Sequence, residues 1–179
     1  MKQLWSPWRI EYIRGPKPDG CVFCDLVEEG QDTDNLILLR AARCYVMMNR
    51  YPYNNGHLMV IPYEHVDRPT LLEPAVLYEM MQVVNICVEV LQEAMHPDGF
   101  NIGMNLGASA GAGIKDHVHM HIVPRWTGDT NFMSVLSDTH VIVEGLNECY
   151  EALKPLFDCR CEGVFEYKAT DAPSEQSSS

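Results

Sequence analysis

The sequence predicts an α+β domain, an antiparallel sheet packed with one long helix and a shorter C-terminal helix. Two observations carry this. The segment Thr70–Met95 repeats apolar residues at helical spacing, through Leu77, Met80, Met81, Val84, Cys87, Val88 and Leu91. Short apolar stretches bounded by turn residues lie on both sides of it, and they do not alternate regularly with helices as a parallel sheet would require.

Taken in order, residues 1–20 set Trp5, Trp8 and Tyr12 among Pro and Gly, which predicts an ordered arm that packs its rings on the domain or on a partner. Residues 21–34 contain Cys21-Val-Phe-Cys24 and an acidic stretch. Leu36–Arg40 and Cys44–Met48 read as two strands joined through Ala41-Ala42-Arg43. Pro52–Gly56 is an Asn- and Gly-rich loop, and His57–Pro62 is a short apolar strand that ends at proline. The long helix starts at Thr70, with Glu73 completing a capping box and Pro74 in the first turn. Phe100–Leu106 reads as a strand, Gly107–Gly113 as a Gly/Ala/Ser loop, Val118–Pro124 as a strand and Val143–Phe157 as the second helix. Residues 1–168 form one domain. Residues 169–179, Ser- and acid-rich without a large apolar side chain, are expected to be a disordered tail.

The 179 residues suit a single domain that can bury a core without staples. A formal net charge of −12 argues against a nucleic-acid surface, which needs a basic stripe, but a small phosphate ester can still be held by backbone N–H groups and histidines. Seven cysteines show no disulfide-framework spacing, and Met1–Arg14 has no apolar core of a signal peptide. No apolar run approaches the roughly 20 residues that span a bilayer. The expectation is a cytoplasmic protein with reduced thiols and no membrane partner.

The densest chemical signal is His117-Val-His119-Met-His121. Alternate residues of a strand share a face, so three imidazoles face one way while Val118, Met120 and Ile122 face the other. A single histidine is by default a satisfied core or surface residue, but packing gives no reason for three in strict alternation. Two chemistries remain. A His-x-His pair can chelate a catalytic metal, although a third imidazole on the same strand reaches that ion poorly. Alternatively the central histidine attacks while its neighbours orient it and contact substrate. The preceding segment, Asn105-Leu-Gly107-Ala-Ser109-Ala-Gly111-Ala-Gly113, favours the second reading, because its backbone N–H groups are unobstructed and suit a phosphate. Cys21-Val-Phe-Cys24 is open to a redox pair or to half of a structural zinc site; a thioredoxin-like strand-to-helix context is not evident.

His117-Val-His119-Met-His121-Ile122-Val123 resembles the signature of the histidine triad superfamily, His-φ-His-φ-His-φ-φ with φ apolar, and the resemblance spans roughly residues 20–157. Leu4–Arg9, Asn49–His57 and Pro124–Phe132 are most similar to the bacterial diadenosine tetraphosphate phosphorylases. The resemblance implies a histidine-triad fold and cleavage of dinucleoside polyphosphates through a nucleotidyl-histidine intermediate, with no catalytic metal. It implies His119 as nucleophile, His121 on the reacting phosphate, Asn49 on the ribose, Asn105 with the Gly111 and Gly113 backbone on phosphate, and His57 behind the nucleophile. Many members carry Ser or Thr where Gly113 falls, so here only a backbone contact is available. The resemblance also implies a structural zinc on Cys21, Cys24, His65 and His117, and a homodimer or higher homo-oligomer. A purine nucleoside phosphoramidase using the same His119, and a nucleotide-binding sensor with incidental catalysis, are the alternatives.

Overall fold

The computed structural model describes residues 20–129 and 145–161. The rings of the aromatic arm, His140, and residues 162–179 with the expected tail lie outside them.

Five strands form one antiparallel sheet: β1 (Ile37–Arg40), β2 (Cys44–Met48), β3 (Leu58–Pro62), β4 (Gly99–Met104) and β5 (Met120–Arg125), in the order β1-β2-β3-β5-β4. The α-helices among the described residues are α1 (Val22–Glu28), α2 (Pro74–Met95) and α3 (Leu146–Cys161). The sheet and the two longer helices match the expected architecture.

β2 and β3 are buried at every position, so they need apolar side chains on both faces. One face packs Leu38, Val46, Met48, Leu58, Val60 and Ile122 against α2, through Val76, Met80, Val83, Cys87 and Leu91, and against α3, through Tyr150, Leu153 and Phe157. The other face carries a smaller cluster, Ile37, Tyr45, Met47, Met59 and Ile61, closed by Phe23 of α1. Each fully buried aliphatic or Phe side chain contributes roughly 1.5–3 kcal/mol, so the first layer dominates stability. The second carries the site.

Three differences from the sequence expectations have local causes. The long helix starts at Pro74, not at Thr70, and Thr70 lies in a 3₁₀ turn over Pro69–Leu71. Proline pushes its predecessor out of the helical region: Glu73 has ψ 146° and becomes the N-cap without a side-chain cap bond. The triad strand pairs only from Met120, because the Val118 N–H donates to the Val66 carbonyl at 2.6 Å instead of to a neighbouring strand. His117 and His119 therefore sit on an extended lead-in to β5. Residues 22–28, given no element from sequence, are helical.

α2 is long and apolar enough, by length and composition, to cross a bilayer. Glu79 interrupts the run that the sequence count looked for. This helix spends its apolar face on the sheet, and there Glu79 accepts the Arg43 N–H at 2.6 Å and pins the β1–β2 turn.

Candidate active site

The site is built where β5, the loop after β4 and the segment before β3 meet. His117, His119, His121 and His57 are all buried, at 1, 6, 8 and 1% exposure. Buried imidazoles need partners, and here the partners decide which nitrogen carries the proton.

The Tyr53 backbone N–H donates to His57 Nδ1 at 3.1 Å, so His57 carries its proton on Nε2. That Nε2–H donates to His121 Nδ1 at 2.9 Å. His121 is thereby left with its proton on Nε2, and Asn105 Nδ2, itself a donor, lies 3.5 Å away, so two N–H groups face one place with no acceptor between them. A phosphoryl oxygen placed there can accept from both. His119 donates its Nδ1–H to the His117 carbonyl at 2.9 Å, which leaves the lone pair on Nε2. The rings of His119 and His121 stand 4.7 Å apart at 74°. A lone pair for attack and an N–H for a charged oxygen thus lie side by side.

Charge state suits the same task. Burial, helped by His121 and His119, holds His57 down at about 3. Burial and then His119 hold His121 at about 4. Burial also lowers His119, opposed by its bond to the His117 carbonyl. All three are neutral near pH 7, and only a neutral imidazole has a lone pair to give.

Around the histidines, β3 and β4 flank β5, with Met59 and Gly103 facing His121 across the ladders. Gly103 has open space where a Cβ would stand, so the sheet offers no obstruction there. The loop after β4 contains a short 3₁₀ turn, Ala108–Ala110, closed at Gly111. Gly111 has φ +87°, a conformation that a side chain would disfavour, and its N–H donates to the Ala108 carbonyl at 3.1 Å. Ile114 returns the chain to the Phe23 cluster beside the triad. Gly113 lies exposed between these two points. Asn49 follows β2, where its N–H donates to the His57 carbonyl at 2.9 Å and its Oδ1 accepts the Tyr51 N–H at 2.8 Å. Asp129 holds the turn after β5 by accepting two bonds from Arg125 and one from Asn54, which ties the loop before His57 to the end of β5.

His117 turns away from this group. Its Nε2–H donates to the Pro62 carbonyl at 2.9 Å, leaving the Nδ1 lone pair aimed at the cysteines. Nδ1 lies 3.3 Å from Cys21 Sγ and 3.6 Å from Cys24 Sγ, and Cys24 Sγ lies 3.5 Å from His65 Nδ1. All four donor atoms fall within 4.8 Å of one another. Metal bonds of about 2.3 Å to sulfur and 2.0–2.1 Å to nitrogen place tetrahedral donors ~3.4–3.8 Å apart, so the set fits a divalent ion with little adjustment. Burial, then Cys21, then Asp25 and Glu28 push the Cys24 thiol up to about 12, and a bound cation is what makes its thiolate accessible. The Pro62 carbonyl plays the outer partner that orients a metal-binding imidazole.

Sequence reasoning thus named every histidine of the site, and the structure brings His57, His119, His121 and Asn105 together while gathering Cys21, Cys24, His65 and His117 into a second group. It missed two aromatic residues. Phe23 lies edge-on to His119, with centroids 4.9 Å apart, and Tyr53 lies over His57 at 4.7 Å and His121 at 5.7 Å. Only the position of Tyr53 inside the segment that leads to His57 hinted at its place.

The HIT domain family model matches residues 30–128. The AP-4-A phosphorylase of Mycobacterium tuberculosis is 35% identical over 156 residues, covering 83% of this chain and 80% of the relative. The asymmetrical bis(5'-nucleosyl)-tetraphosphatase of Schizosaccharomyces pombe is 31% identical over 93 residues, covering 52% of this chain and 50% of that one. A Zn-bound histidine triad family protein from Mycobacterium smegmatis superposes with a TM-score of 0.65 at 25% identity, covering 81% of this chain and 97% of that one. On its signature, its fold and these matches, the chain belongs to the HIT-domain family.

Proposed function

We propose that the protein is an enzyme that cleaves dinucleoside polyphosphates, of the diadenosine tetraphosphate kind, by transferring a nucleotidyl group to His119 and then to an acceptor. The observation that carries this is the fixed protonation pattern: His119 keeps a lone pair on Nε2 while the adjacent His121 presents an N–H. The relatives with phosphorylase and tetraphosphatase names support the substrate class.

His119 Nε2 attacks the α-phosphorus. A P–N bond forms, the bridging P–O bond breaks, and the departing nucleoside polyphosphate takes the electron pair. His121 Nε2–H donates to the phosphoryl oxygen as its charge grows. Asn105 and the backbone N–H groups near Gly111 and Gly113 assist, those of residues 110–112 by exchanging their turn bonds for the phosphate. Asn49, with Oδ1 engaged by Tyr51, offers Nδ2 to a ribose hydroxyl. Phosphate or water then attacks the same phosphorus from the other side, and the P–N bond breaks to return the His119 lone pair. Two easier displacements replace one difficult one.

Cys21, Cys24, His65 and His117 would hold a structural zinc, which braces the lead-in to β5 and takes no part in the transfer. Stoichiometric metal analysis tests this, and fully active protein without zinc would overturn it. We also assign β4 as a homodimer edge. It is the outer strand beside β5, and Ile102 on it is 46% exposed, a combination that needs a cover. Cysteines buried in the apolar core, Cys44, Cys87 and Cys149, suit a reducing, cytoplasmic setting.

Incubation with diadenosine tetraphosphate, with and without inorganic phosphate, tests the activity. ADP and ATP only with phosphate identify a phosphorylase, and AMP and ATP from water a hydrolase. Cleavage of adenosine 5'-monophosphoramidate alone would replace this reading with the phosphoramidase. Tight nucleotide binding without turnover would replace it with the sensor.

A further inference from the structure

Phe23 belongs to the metal group and to the transfer site at once. It lies between the two cysteines, in the first turn of α1. Its ring is 3% exposed. It meets His119 at 4.9 Å and 64°, and His117 at 5.5 Å and 87°, both edge-on. Its carbonyl accepts the hydroxyl of the buried Tyr45 at 2.8 Å. The bond holds the backbone of Phe23, and burial leaves its ring little room to turn.

His119 needs such a wall. Its single bond to the His117 carbonyl fixes one nitrogen but lets the ring tilt about that bond. His121 and Phe23 both meet the ring edge-on, at centroid distances of 4.7 and 4.9 Å. An aliphatic side chain of similar volume would fill the Ile37, Met47, Met59 and Ile61 cluster equally well. Only an aromatic ring offers the edge-to-face contact that sets an angle.

What holds Phe23 is α1, and α1 is weak by itself. It has seven residues, and its N-cap Cys21 makes no side-chain cap bond. Helices this short do not persist in water unless something ties them down. The C-terminal half is tied by Asn35 to the Leu26 carbonyl at 3.0 Å and by Arg40 to the Val27 carbonyl at 2.8 Å. The N-terminal turn relies on Tyr45 and on whatever joins Cys21 and Cys24 to His65 and His117.

We propose that Phe23 is a positioning residue that sets the angle of the His119 ring and passes to it the occupancy of the Cys21–Cys24–His65–His117 site. This rests on the reading of His119 as nucleophile. Phe23→Leu keeps the cluster apolar but removes the ring edge. The expected protein retains one zinc per chain and a KM within about twofold, while kcat falls about tenfold, as a misplaced reacting group would give. In ¹H–¹⁵N spectra of histidine-labelled protein, the His119 Nδ1–H signal, sharp in the parent, should broaden. His65→Ala removes the exposed ligand of the set, whose ring meets His117 edge-on at 5.1 Å, and should, with the zinc lost, broaden the same signal. The two substitutions together should then lower kcat by less than the product of their separate effects. A Phe23→Leu protein with zinc, parental kcat and an unchanged His119 signal overturns the proposal. Should Phe23→Leu fail to fold, His65→Ala decides: zinc loss with kcat and the signal intact overturns it as well. His119→Asn separates the two ideas. If it is inactive while Phe23→Leu is parental, only the coupling fails; if it is active, the nucleophile itself was misassigned.

Discussion

Replacing His57 tests the relay, because this residue touches no substrate in the mechanism and acts only through His121. In His57→Leu the Tyr53 N–H loses its acceptor and His121 Nδ1 loses its donor, bonds of 3.1 and 2.9 Å. His121 is 8% exposed, so water replaces that partner poorly. Two net hydrogen bonds at about 0.5–1.5 kcal/mol each, with part of an orphan's ~1–3 kcal/mol, give a stability loss of roughly 2–4 kcal/mol. For a domain of this size that is a fall of about 5–15 °C in Tm. The kinetic loss is separate. Without a donor on Nδ1, the His121 tautomer that presents Nε2–H is no longer favoured. Losing about 1.5 kcal/mol of that bias lowers kcat roughly tenfold. His57→Gln can accept from Tyr53 through its carbonyl and donate to His121 through its amide, so it should recover most of kcat. Differential scanning calorimetry and steady-state kinetics on both variants supply the readout. A folded His57→Leu protein with parental kcat, or a Gln variant no better than Leu, refutes the relay.

Three further outcomes follow from the same structure. Gly56 has φ +71°, and a Cβ there would lie 2.7 Å from Met95 Sδ and 3.0 Å from Leu91 Cδ2, so Gly56→Ala should cost roughly 2–4 kcal/mol by chemical denaturation; an unchanged midpoint would show that the loop relaxes freely. His57 at about 3 and His121 at about 4 are depressed from 6.5, so the unfolded chain binds protons first as pH falls; stability is full above about pH 6.5 and is lost progressively towards pH 4 at up to ~1.4 kcal/mol per unit per group, and a flat denaturation midpoint between about pH 7 and pH 5 would contradict the depressed values. Ile102→Arg places a charge on the exposed β4 edge and should convert a dimer into a monomer by light scattering, while a dimer that persists would move the interface elsewhere.

The sequence made some parts of this molecule legible and hid others for identifiable reasons. β2 was read to its ends, because an apolar run bounded by turn residues is a local signal. The end of α2 was equally local: His96 adopts φ 48°, ψ 53° as the C-cap before Pro97. Its start was misread because Thr70 and Glu73 satisfy the capping-box pattern, and the stronger backbone constraint of Pro74 took precedence. α1 was hidden because seven residues carry too little periodicity, and long-range contacts hold it in place. Within the site, the histidines and cysteines announced themselves through residue type and spacing. Phe23 did not, because it looks like any core aromatic and its partners His117 and His119 are distant in the chain. The protonation pattern was equally out of reach, since it depends on carbonyls of Pro62 and His117 and on the N–H of Tyr53.

The central claim is a covalent bond between a nucleotide and His119 Nε2. Mixing enzyme with diadenosine tetraphosphate in the absence of inorganic phosphate, quenching in base to preserve a P–N bond, and sequencing peptides by mass spectrometry measures it directly. The account predicts one adenylyl group per chain, on His119, that disappears when phosphate is added and never forms in His119→Asn. Rapid turnover with no adduct, or an adduct on His121 or another residue, would contradict it.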